Sequence, residues 1–357
     1  MKYLISGGGT GGHIFPAVSI ANALRELDPN AEILFVGALG RMEMERVPQA
    51  GYKIIGLPVR GFNRAQPWKN FSVLIDLLRS MRMARKIIKD FRPDVGVGVG
   101  GYASGAAMKV AAKMGVPILL QEQNGFAGVT NKLLKDDASV ICVAYDHMER
   151  FFPAEKIILT GNPVRQNLTK GKSSKKDGEK NLLIIGGSLG ARTINESIIA
   201  ALPLLAKSKM HIVWQTGKVY FDKCKAAWQE NGSPANIECL DFLSDMPDRY
   251  ATADLVISRA GASSISELCL LGKPAILVPS PNVAEDHQTH NAMALVEKNA
   301  AVLVKDVDAR NSLVDTALTL IQDDKKLETL HKNILALAQP DSAKRIAQEV
   351  IKLTQQK

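Results

Sequence analysis

Short aliphatic runs alternate with helix-length amphipathic segments along almost the whole chain, and this alternation constrains the fold more than any other feature. Runs that are apolar on both faces and separated by helices are typical of parallel sheets with helices on both sides. We therefore predict a doubly wound α/β fold. The predicted strands lie near residues 2–6, 32–36, 53–57, 94–99, 117–121, 139–143 and 156–159 in the first half, and near 181–185, 211–215, 236–240, 254–258, 274–278 and 301–304 in the second.

The 357 residues are enough for two domains, and a segment rich in Lys, Ser and Gly divides them. Residues 166–180 show no apolar period, which is typical of an exposed linker. We predict Rossmann-like domains over 1–165 and 181–340, whose sheets face a central cleft, because ligands of such folds bind at the carboxyl ends of the strands. Residues 341–357 are predicted to be helical, and the sequence leaves open whether they pack back onto the first domain.

A glycine turn follows the first predicted strand of each half, in SGGGTGGHIF (6–15) and in GGSLG (186–190). Such turns let backbone N–H groups approach an anion, and the N-terminus of the following helix adds positive charge. The first turn has the G-x-G-x-x-G spacing of dinucleotide-binding proteins, which a tight strand-to-helix turn also produces. Gly37 stands where the acid that binds an NAD ribose is expected, and the second turn lacks the P-loop spacing. These features argue against NAD binding and ATP hydrolysis, and we predict no cofactor.

His13 follows the first glycine turn, at the start of a predicted helix. An imidazole there can take the proton of an incoming hydroxyl group, provided that the helix N-terminus keeps it neutral. The alternative is a histidine that caps the helix or packs against it. His13 is therefore a candidate general base.

The stretch SRAGASSISEL, residues 258–268, places small residues after a predicted strand and at the start of a helix. The N–H groups and hydroxyls of residues 262–264 can hold a diphosphate, and the carboxylate of Glu267 can accept both hydroxyls of a ribose. This pattern predicts a nucleoside-diphosphate site. The local sequence equally allows a helix cap in which Glu267 and Ser264 form a capping box.

Three patterns bear on metal binding. His287 and His290 have H-x-x-H spacing, but no carboxylate-rich shell accompanies them. Asp306 and Asp308 match D-x-D, a signature of metal-dependent sugar transferases, yet they follow a predicted strand and suit a helix cap. The four cysteines lack C-x-x-C spacing and suit small core residues. We predict no metal site.

The net charge of +9 is concentrated in one segment, because residues 60–92 hold nine Lys or Arg against two Asp. A helical wheel of the predicted helix after Pro67 separates two stripes. The core stripe is Leu74, Leu77, Met81, Ala84 and Ile88, and the exposed stripe is Trp68, Phe71, Ile75, Arg79, Arg82 and Lys86. Aromatic and apolar side chains backed by cations suit an anionic membrane surface, and the alternative is an ordinary solvated helix.

Nucleic acid is the less suitable anionic partner, because the chain lacks stacked aromatics and a recognised RNA-binding module. No apolar run reaches the roughly 18–20 residues that cross a bilayer, and the apolar residues at the N-terminus give way to glycines too early for a signal peptide. We therefore expect a cytoplasmic protein that associates peripherally with the membrane and does not bind nucleic acid.

Six motifs, in order along the chain, resemble those of the bacterial MurG family: GGGTGGH, GGYASGAA, QEQNGFAGVTN, GNPVR, GGSLGAR and SRAGASSISEL. The resemblance implies a GT-B fold, with the donor held mainly by the C-terminal domain and the acceptor and membrane contacts on the N-terminal one. The implied reaction is the inverting transfer of GlcNAc from UDP-GlcNAc to the C4 hydroxyl of undecaprenyl-pyrophosphoryl-MurNAc-pentapeptide (lipid I), which gives lipid II for peptidoglycan synthesis. The implied place is the cytoplasmic face of the cell membrane, with other cell-wall synthesis proteins as further candidate partners.

The same resemblance implies roles for individual residues. The loop at Leu243 would receive the uracil, Glu267 the ribose, and Gln288 with Asn124 the GlcNAc. It leaves open whether Arg259 is chiefly structural, and it adds Glu122 as a second candidate for the base beside His13. The implied substrate-binding residues are Thr10, Gly11, Gly12, Asn124, Arg165, Ser188, Leu243, Arg259, Ala262, Ser263, Ser264, Ile265, Ser266, Glu267 and Gln288.

Two other functions stay open on the sequence. One is a different GT-B enzyme that uses a UDP-sugar, such as a UDP-GlcNAc 2-epimerase or a glycolipid transferase. The other is a non-catalytic nucleotide-binding protein at the membrane surface.

Overall fold

The computed structural model describes residues 1–61, 70–164, 168–187, 189–283 and 286–355, with only the backbone described at residues 70 and 71. The chain divides into two compact units. The N-terminal unit comprises Met1–Val164 and Pro340–Lys357, and the C-terminal unit comprises Arg165–Gln339.

The N-terminal unit is built on parallel strands. These are β1 Lys2–Ser6, β2 Glu32–Ala38, β3 Lys53–Leu57, β4 Val95–Gly98, β5 Ile118–Glu122, β6 Val140–Val143 and β7 Ile157–Leu159. Within the described residues they form a seven-stranded sheet in the order β3-β2-β1-β4-β5-β6-β7. Its helices are α1 Gly11–Leu27, α2 Glu43–Gln49, α3 Asn70–Phe91, α4 Tyr102–Lys113, α5 Val129–Leu134 and α13 Ser342–Thr354.

Strand β1 shows why this sheet needs helices on both faces. Successive side chains of a strand point to opposite faces. Tyr3 and Ile5 join an apolar cluster with residues of α1 and α13, whereas Leu4 joins a second cluster with residues of α3 and α4. Helix α13 packs directly against α1. The strand is apolar at consecutive positions because both of its faces are covered.

The C-terminal unit has the same plan. Its strands are β8 Asn181–Ile185, β9 His211–Gln215, β10 Ile237–Leu240, β11 Leu255–Ser258, β12 Ala275–Leu277 and β13 Val302–Leu303. The described strands form a six-stranded parallel sheet in the order β10-β9-β8-β11-β12-β13. Its helices are α6 Arg192–Ala206, α7 Phe221–Glu230, α8 Met246–Thr252, α9 Ala262–Leu271, α10 His287–Val296, α11 Ala309–Gln322 and α12 Asp324–Leu335.

Each sheet has one point at which the strand order reverses, between β1 and β4 in the first and between β8 and β11 in the second. Ligands of open α/β sheets bind at the carboxyl ends of the strands at such points. The two glycine turns follow β1 and β8, and SRAGASSISEL begins at the end of β11. Each of these motifs therefore lies at the reversal point of its own sheet.

The predicted α/β fold class is confirmed. Every predicted strand is present, with its ends within two residues of the prediction. The expectation that the two sheets face a common cleft stays a prediction.

The segment predicted as an exposed linker is attached to α8 where the structure describes it. Leu168 is buried. The backbone N–H groups of Lys172 and Ser174 donate to Asp248 Oδ1 (2.7 Å) and Thr252 Oγ1 (3.1 Å). The side chains of residues 172–178 are exposed, but the backbone at Lys172 and Ser174 is held by α8. The amino-acid composition of this segment predicts that its side chains are exposed, but it does not predict that its backbone is attached to α8.

Helix α3 buries a face that differs from the predicted core stripe at its N-terminal end. Leu74 is exposed by 48%, so its placement in the core was wrong, whereas Val73 and Ser80 are buried. Ala84 and Ile88 are buried as predicted. The packing of α3 against α4 determines which face is buried. A helical wheel of α3 alone could not show this, because it does not include α4. Among the described residues, no helix has the length and apolar character needed to span a bilayer.

Candidate active site

Two glycine turns of the N-terminal unit meet at the carboxyl ends of β1 and β4. Gly100 and Gly101 follow β4 with φ angles of 93° and 89°, a region that favours glycine. A Cβ atom on Gly101 would lie 2.6 Å from the carbonyl oxygen of Gly8. The two backbones approach this closely because neither turn carries side chains at the point of contact.

His13 is oriented by the first glycine turn. It lies in the first turn of α1, and its Nδ1 atom is 2.9 Å from the carbonyl oxygen of Gly8. A carbonyl oxygen only accepts hydrogen bonds, so Nδ1 donates, and the neutral ring then has its lone pair on Nε2. Thr10 Oγ1 is a second neighbour of Nδ1, at 3.4 Å. The ring thus presents Nε2 as its basic atom.

Gly100 leaves room for that atom. A Cβ atom on Gly100 would lie 2.9 Å from His13 Nε2. Thr10 is the N-cap of α1. His13 therefore does not cap the helix, which was one of the alternatives that the sequence left open for it. The first N–H groups of α1, at Gly11 and Gly12, have no acceptor within the helix and carry the positive end of its dipole.

A buried carboxylate that the sequence patterns did not reveal lies against the first glycine turn. Glu43, the first residue of α2, is fully buried. It accepts hydrogen bonds from the N–H groups of Gly9 (2.9 Å) and Ala38 (3.0 Å). A Cβ atom on Gly8 or Gly37 would overlap its side chain. Gly8 and Gly37 were the only signs in the sequence that a side chain packs against this turn. The polar residues around Glu43 suggest an exposed helix and gave no indication that Glu43 is buried.

Glu122, the second candidate for the base, is bound by its own loop. It ends β5, is buried, and accepts from the backbone N–H groups of Asn124 (3.1 Å) and Gly128 (3.0 Å). The side-chain amides of Asn124 (3.3 Å) and Asn131 (2.9 Å) also donate to it. Four donors thus occupy its two oxygens. This geometry suits a residue that holds the loop around Asn124, and it suits a general base poorly.

Buried amides connect the QEQN and GNPVR motifs. Gln121 Nε2 donates to Asn162 Oδ1 (2.9 Å), and Asn162 Nδ2 donates to the carbonyl oxygen of Gln123 (2.9 Å). All three side chains are almost fully buried. Two motifs that are distant in the sequence therefore form one network, whereas Arg165 of GNPVR lies outside the described residues.

The second glycine turn is held by a neutral side chain. Gln215, at the end of β9, accepts from the N–H group of Gly187 through Oε1 (3.0 Å) and donates through Nε2 to the carbonyl oxygen of the same residue (2.9 Å). Nε2 also donates to the carbonyl oxygen of Asp241 (2.9 Å). Ser188, one of the substrate-binding residues that the resemblance implies, lies outside the described residues.

The start of α9 presents backbone donors at the carboxyl end of β11. Gly261 is the N-cap and Ala262 the first helical residue. The N–H groups of Ala262, Ser263 and Ser264 therefore belong to the first turn, where no intrahelical acceptor exists. The capping-box alternative is wrong, because Ser264 lies inside the helix and is not its cap. Ile265 is buried and Ser266 Oγ donates to the carbonyl oxygen of Ala262 (2.9 Å), so these two side chains anchor the turn.

Glu267 lies further along α9 and is nine-tenths buried. Tyr250 of α8 is also buried, and its hydroxyl donates to Glu267 Oε2 at 3.0 Å. This bond fixes the direction of the carboxylate. Sequence patterns predicted the carboxylate but gave no sign of the tyrosine that orients it.

Arg259 is engaged within the C-terminal unit. It forms an ion pair with Asp306 and donates to the carbonyl oxygens of Val278 (3.1 Å) and Pro279 (3.2 Å). Thr193 Oγ1 of α6 also donates to Asp306 (2.9 Å). These contacts fit the structural role that the sequence left open for Arg259, and they tie the first Asp of D-x-D to an arginine.

The structure also describes the two residues that the resemblance assigns to the uracil and the GlcNAc, Leu243 and Gln288. Leu243 is buried, and its neighbour Phe242 is exposed by 53%. Gln288 lies at the start of α10, where its Oε1 accepts from the N–H group of Ser280 (2.9 Å).

The thiols are poor candidates for chemistry. Burial raises the pKa of Cys142, Cys224 and Cys269 to about 12, so these groups are protonated and weakly nucleophilic at neutral pH. The prediction that these three are core residues is confirmed. Within the described residues, no three His, Cys, Asp or Glu side chains lie close enough together to hold a metal ion.

Helix α3 exposes an apolar surface beside cations. Leu74, Ile75 and Leu78 are exposed by 48%, 52% and 51%. The cations of the predicted stripe are exposed as well: Arg79, Arg82 and Lys86. Trp68 lies outside the described residues, and so does the side chain of Phe71.

Comparison with known proteins identifies the family. The chain matches the glycosyltransferase family 28 N-terminal domain over residues 3–142 and the C-terminal domain over residues 181–349. A UDP-N-acetylglucosamine--N-acetylmuramyl-(pentapeptide) pyrophosphoryl-undecaprenol N-acetylglucosamine transferase from Bacteroides thetaiotaomicron is 61% identical, and the match covers 99% of this chain and 98% of the relative. The crystal structure of Acinetobacter baumannii MurG matches with a TM-score of 0.81 and 28% identity, over 98% of this chain and 99% of that one. The chain belongs to the MurG family of glycosyltransferases.

Similarity of fold extends beyond the MurG family. The crystal structure of UDP-GlcNAc 2-epimerase from Neisseria meningitidis, bound to UDP-GlcNAc, matches with a TM-score of 0.69 over 99% of each chain. Its identity is 16%, so this likeness shows the shared fold alone. The full-length relationship at 61% identity decides for MurG over the epimerases.

Replacing Glu122 by Ala tests its structural role. We expect the E122A variant to lose on the order of 3 kcal/mol of unfolding free energy, because the buried amide of Asn131 left without its acceptor costs about 1–3 kcal/mol and the other three donors are only partly buried. Urea denaturation followed by circular dichroism measures the change. The control is Glu155→Ala, an exposed glutamate of the same unit, which should leave stability within about 0.5 kcal/mol of wild type. A loss as small as that of the control would mean that Glu122 does not hold its loop.

Proposed function

We propose that this protein transfers GlcNAc from UDP-GlcNAc to the C4 hydroxyl of MurNAc in undecaprenyl-pyrophosphoryl-MurNAc-pentapeptide. The observation that carries the proposal is the 61% identity to a named transferase of this reaction over 99% of the chain. The product, lipid II, serves peptidoglycan synthesis, and other cell-wall synthesis proteins are candidate partners.

His13 is the proposed general base. The C4 oxygen of MurNAc attacks the anomeric carbon of GlcNAc with inversion, the bond from that carbon to the β-phosphate oxygen breaks, and the hydroxyl proton passes to Nε2. The bond from Nδ1 to Gly8 supports this role, because it leaves Nε2 unprotonated in the neutral ring.

The C-terminal unit provides the proposed donor-binding side chains. The N–H groups at residues 262–264, which have no acceptor within α9, suit the diphosphate, and the oriented carboxylate of Glu267 suits the two ribose hydroxyls. The helix dipole and these donors stabilise the charge on departing UDP. By family resemblance, Leu243 lies near the uracil and Gln288 near the sugar, and Ser188 and Arg165 contribute to the phosphates.

The N-terminal unit provides the proposed acceptor-side residues. Thr10, Gly11 and Gly12 form the start of α1, where N–H groups without an acceptor in the helix suit an oxygen-rich ligand. Asn124 is positioned by Glu122 and is assigned to the GlcNAc by family resemblance.

Peripheral binding to the cytoplasmic face of the cell membrane completes the proposal. Exposed Leu74, Ile75 and Leu78 can enter the interface while Arg79 and Arg82 meet anionic headgroups. Such a surface suits an enzyme whose acceptor is a lipid.

The reaction is tested with the purified protein, UDP-GlcNAc and a short-chain lipid I analogue. We expect a disaccharide product and UDP in equal amounts. His13→Ala should lower kcat by about 100- to 10,000-fold, the usual contribution of a positioned general base. His147→Ala, an exposed histidine of the same unit, is the matched control and should retain activity. ManNAc or free GlcNAc without disaccharide would replace this proposal by an epimerase or hydrolase, and binding without turnover would indicate a non-catalytic protein.

Ribose recognition is tested by comparing UDP with 2′-deoxy-UDP in calorimetric titrations. Wild type should bind UDP about 10- to 100-fold more tightly, because a hydrogen bond to a charged group contributes about 1.5–3 kcal/mol. Glu267→Ala should weaken UDP binding and abolish this preference. Glu230→Ala, an exposed glutamate of the same unit, should keep it. Equal discrimination in the E267A and wild-type proteins would assign the ribose to another residue.

Membrane association is tested by sedimentation with vesicles that contain phosphatidylglycerol. The double substitution Ile75→Ser with Leu78→Ser should lower the partition coefficient by roughly 30-fold, since two half-exposed apolar side chains each lose about 1 kcal/mol of burial. Activity on a soluble acceptor should survive. Leu204→Ser, an exposed leucine of α6, is the control and should sediment like wild type. Unchanged sedimentation of the double variant would make α3 an ordinary solvated helix.

A further inference from the structure

We propose that Glu43 is a positioning residue for His13, acting through the single peptide group that joins Gly8 and Gly9. The inference rests on the proposed function in one respect, that His13 is the base. Glu43 itself contacts neither the imidazole nor any group assigned to a substrate.

The connection is a chain of two hydrogen bonds through one peptide unit. Glu43 Oε2 accepts from the N–H group of Gly9 at 2.9 Å. The carbonyl oxygen on the other side of the same peptide bond, that of Gly8, accepts from His13 Nδ1 at 2.9 Å. Carboxylate, peptide group and imidazole therefore stand in series.

This arrangement acts on the imidazole in two ways. First, the bond to Gly9 fixes the plane of the peptide group, which would otherwise rotate easily between two glycines, so the carbonyl oxygen points at Nδ1. Second, a charged acceptor on the N–H group polarises the peptide and makes its carbonyl oxygen a stronger acceptor. Both effects hold the proton on Nδ1 and favour positive charge on the ring when Nε2 takes a proton.

The local structure is arranged around this carboxylate. A side chain on Gly8 or Gly37 would occupy its space, and Ala38 N–H holds its second oxygen at 3.0 Å. Glu43 is fully buried, and in the described part of the chain it has no ion pair with a cation. Burial of such a carboxylate is unfavourable by itself, so stability alone does not account for it.

The second glycine turn shows that a charge is not needed to hold such a turn. Gln215 holds Gly187 through both its N–H and its carbonyl group with a neutral amide. No histidine follows that turn in the sequence GGSLGAR. The carboxylate is found at the turn that bears the proposed base.

The test compares wild type with Glu43→Gln and with Glu45→Gln, an exposed glutamate of the same short helix. In metal sites, loss of a group that orients a histidine typically costs about 10- to 100-fold, and we expect the same range for Glu43, which acts through the peptide group between Gly8 and Gly9. We expect E43Q to lower kcat by that factor with the KM for UDP-GlcNAc within about twofold of wild type, and E45Q to leave both unchanged.

A spectroscopic measurement separates positioning from general destabilisation. Nitrogen-15 spectra of histidine-labelled protein show which ring nitrogen carries the proton, and the signal missing from the H13A spectrum assigns His13. We expect wild type and E45Q to show the Nδ1 proton and E43Q to show a mixture of both tautomers.

The proposal is overturned if E43Q keeps its kcat, or if kcat falls while the His13 signals stay those of wild type. If E43Q does not fold, the wild-type spectrum decides, together with the amide signal of Gly9: an Nε2 proton on His13, or a Gly9 amide without the downfield shift of a bond to a carboxylate, contradicts the chain of bonds. If the wild-type enzyme forms no disaccharide, the proposed function is wrong. The spectra still test the connection between Glu43 and His13 in that case, because they do not depend on activity.

Discussion

The close approach of two glycine turns is the constraint on which the candidate base depends. Because β1 and β4 are neighbours in the sheet, the turns after them leave from the same edge. A side chain on Gly101 would reach the carbonyl oxygen of Gly8, and one on Gly100 would reach the imidazole of His13. The direction of that imidazole is therefore set by backbone atoms, which are far less adaptable than a packed side chain. Glycine is needed at both positions because a Cβ atom there would overlap these groups.

Much of this could be predicted from the sequence because the determining signals are local. A strand that is apolar on both faces, a glycine turn and a helix start are contiguous in the chain, and parallel topology brings such junctions to one edge of each sheet. His13 and Glu267 were accessible to this reasoning because each lies in a helix that directly follows a strand and a turn. A helix start within residues 260–264 was predicted for the same reason, whereas coordinates were needed to show that the N-cap is Gly261 and not Ser264.

The remaining features depend on contacts between distant parts of the chain. Glu43 lies in a polar helix, and its burial depends on space left by Gly8 and Gly37. Glu122 looks like a base in the sequence, but its loop folds four donors onto it. Leu74 is exposed because α4 covers the other side of α3. In each case the environment of the residue is set by contacts with another segment of the chain. The hydrophobic period of one helix or strand carries no information about such contacts.

The two glycine turns differ in charge, and this difference argues for different tasks. Gln215 adds no net charge behind the second turn, so it does not oppose the attraction of the positive ends of α6 and α9 for an anion. Glu43 places a carboxylate behind the first turn, where it would weaken the hold on a phosphate but stabilise a positive ring. A turn built to bind only an anion would not be expected to keep that carboxylate at the cost of burying it. The first turn is therefore better suited to the imidazole that we propose as the base, and the second to the diphosphate that we propose is bound there.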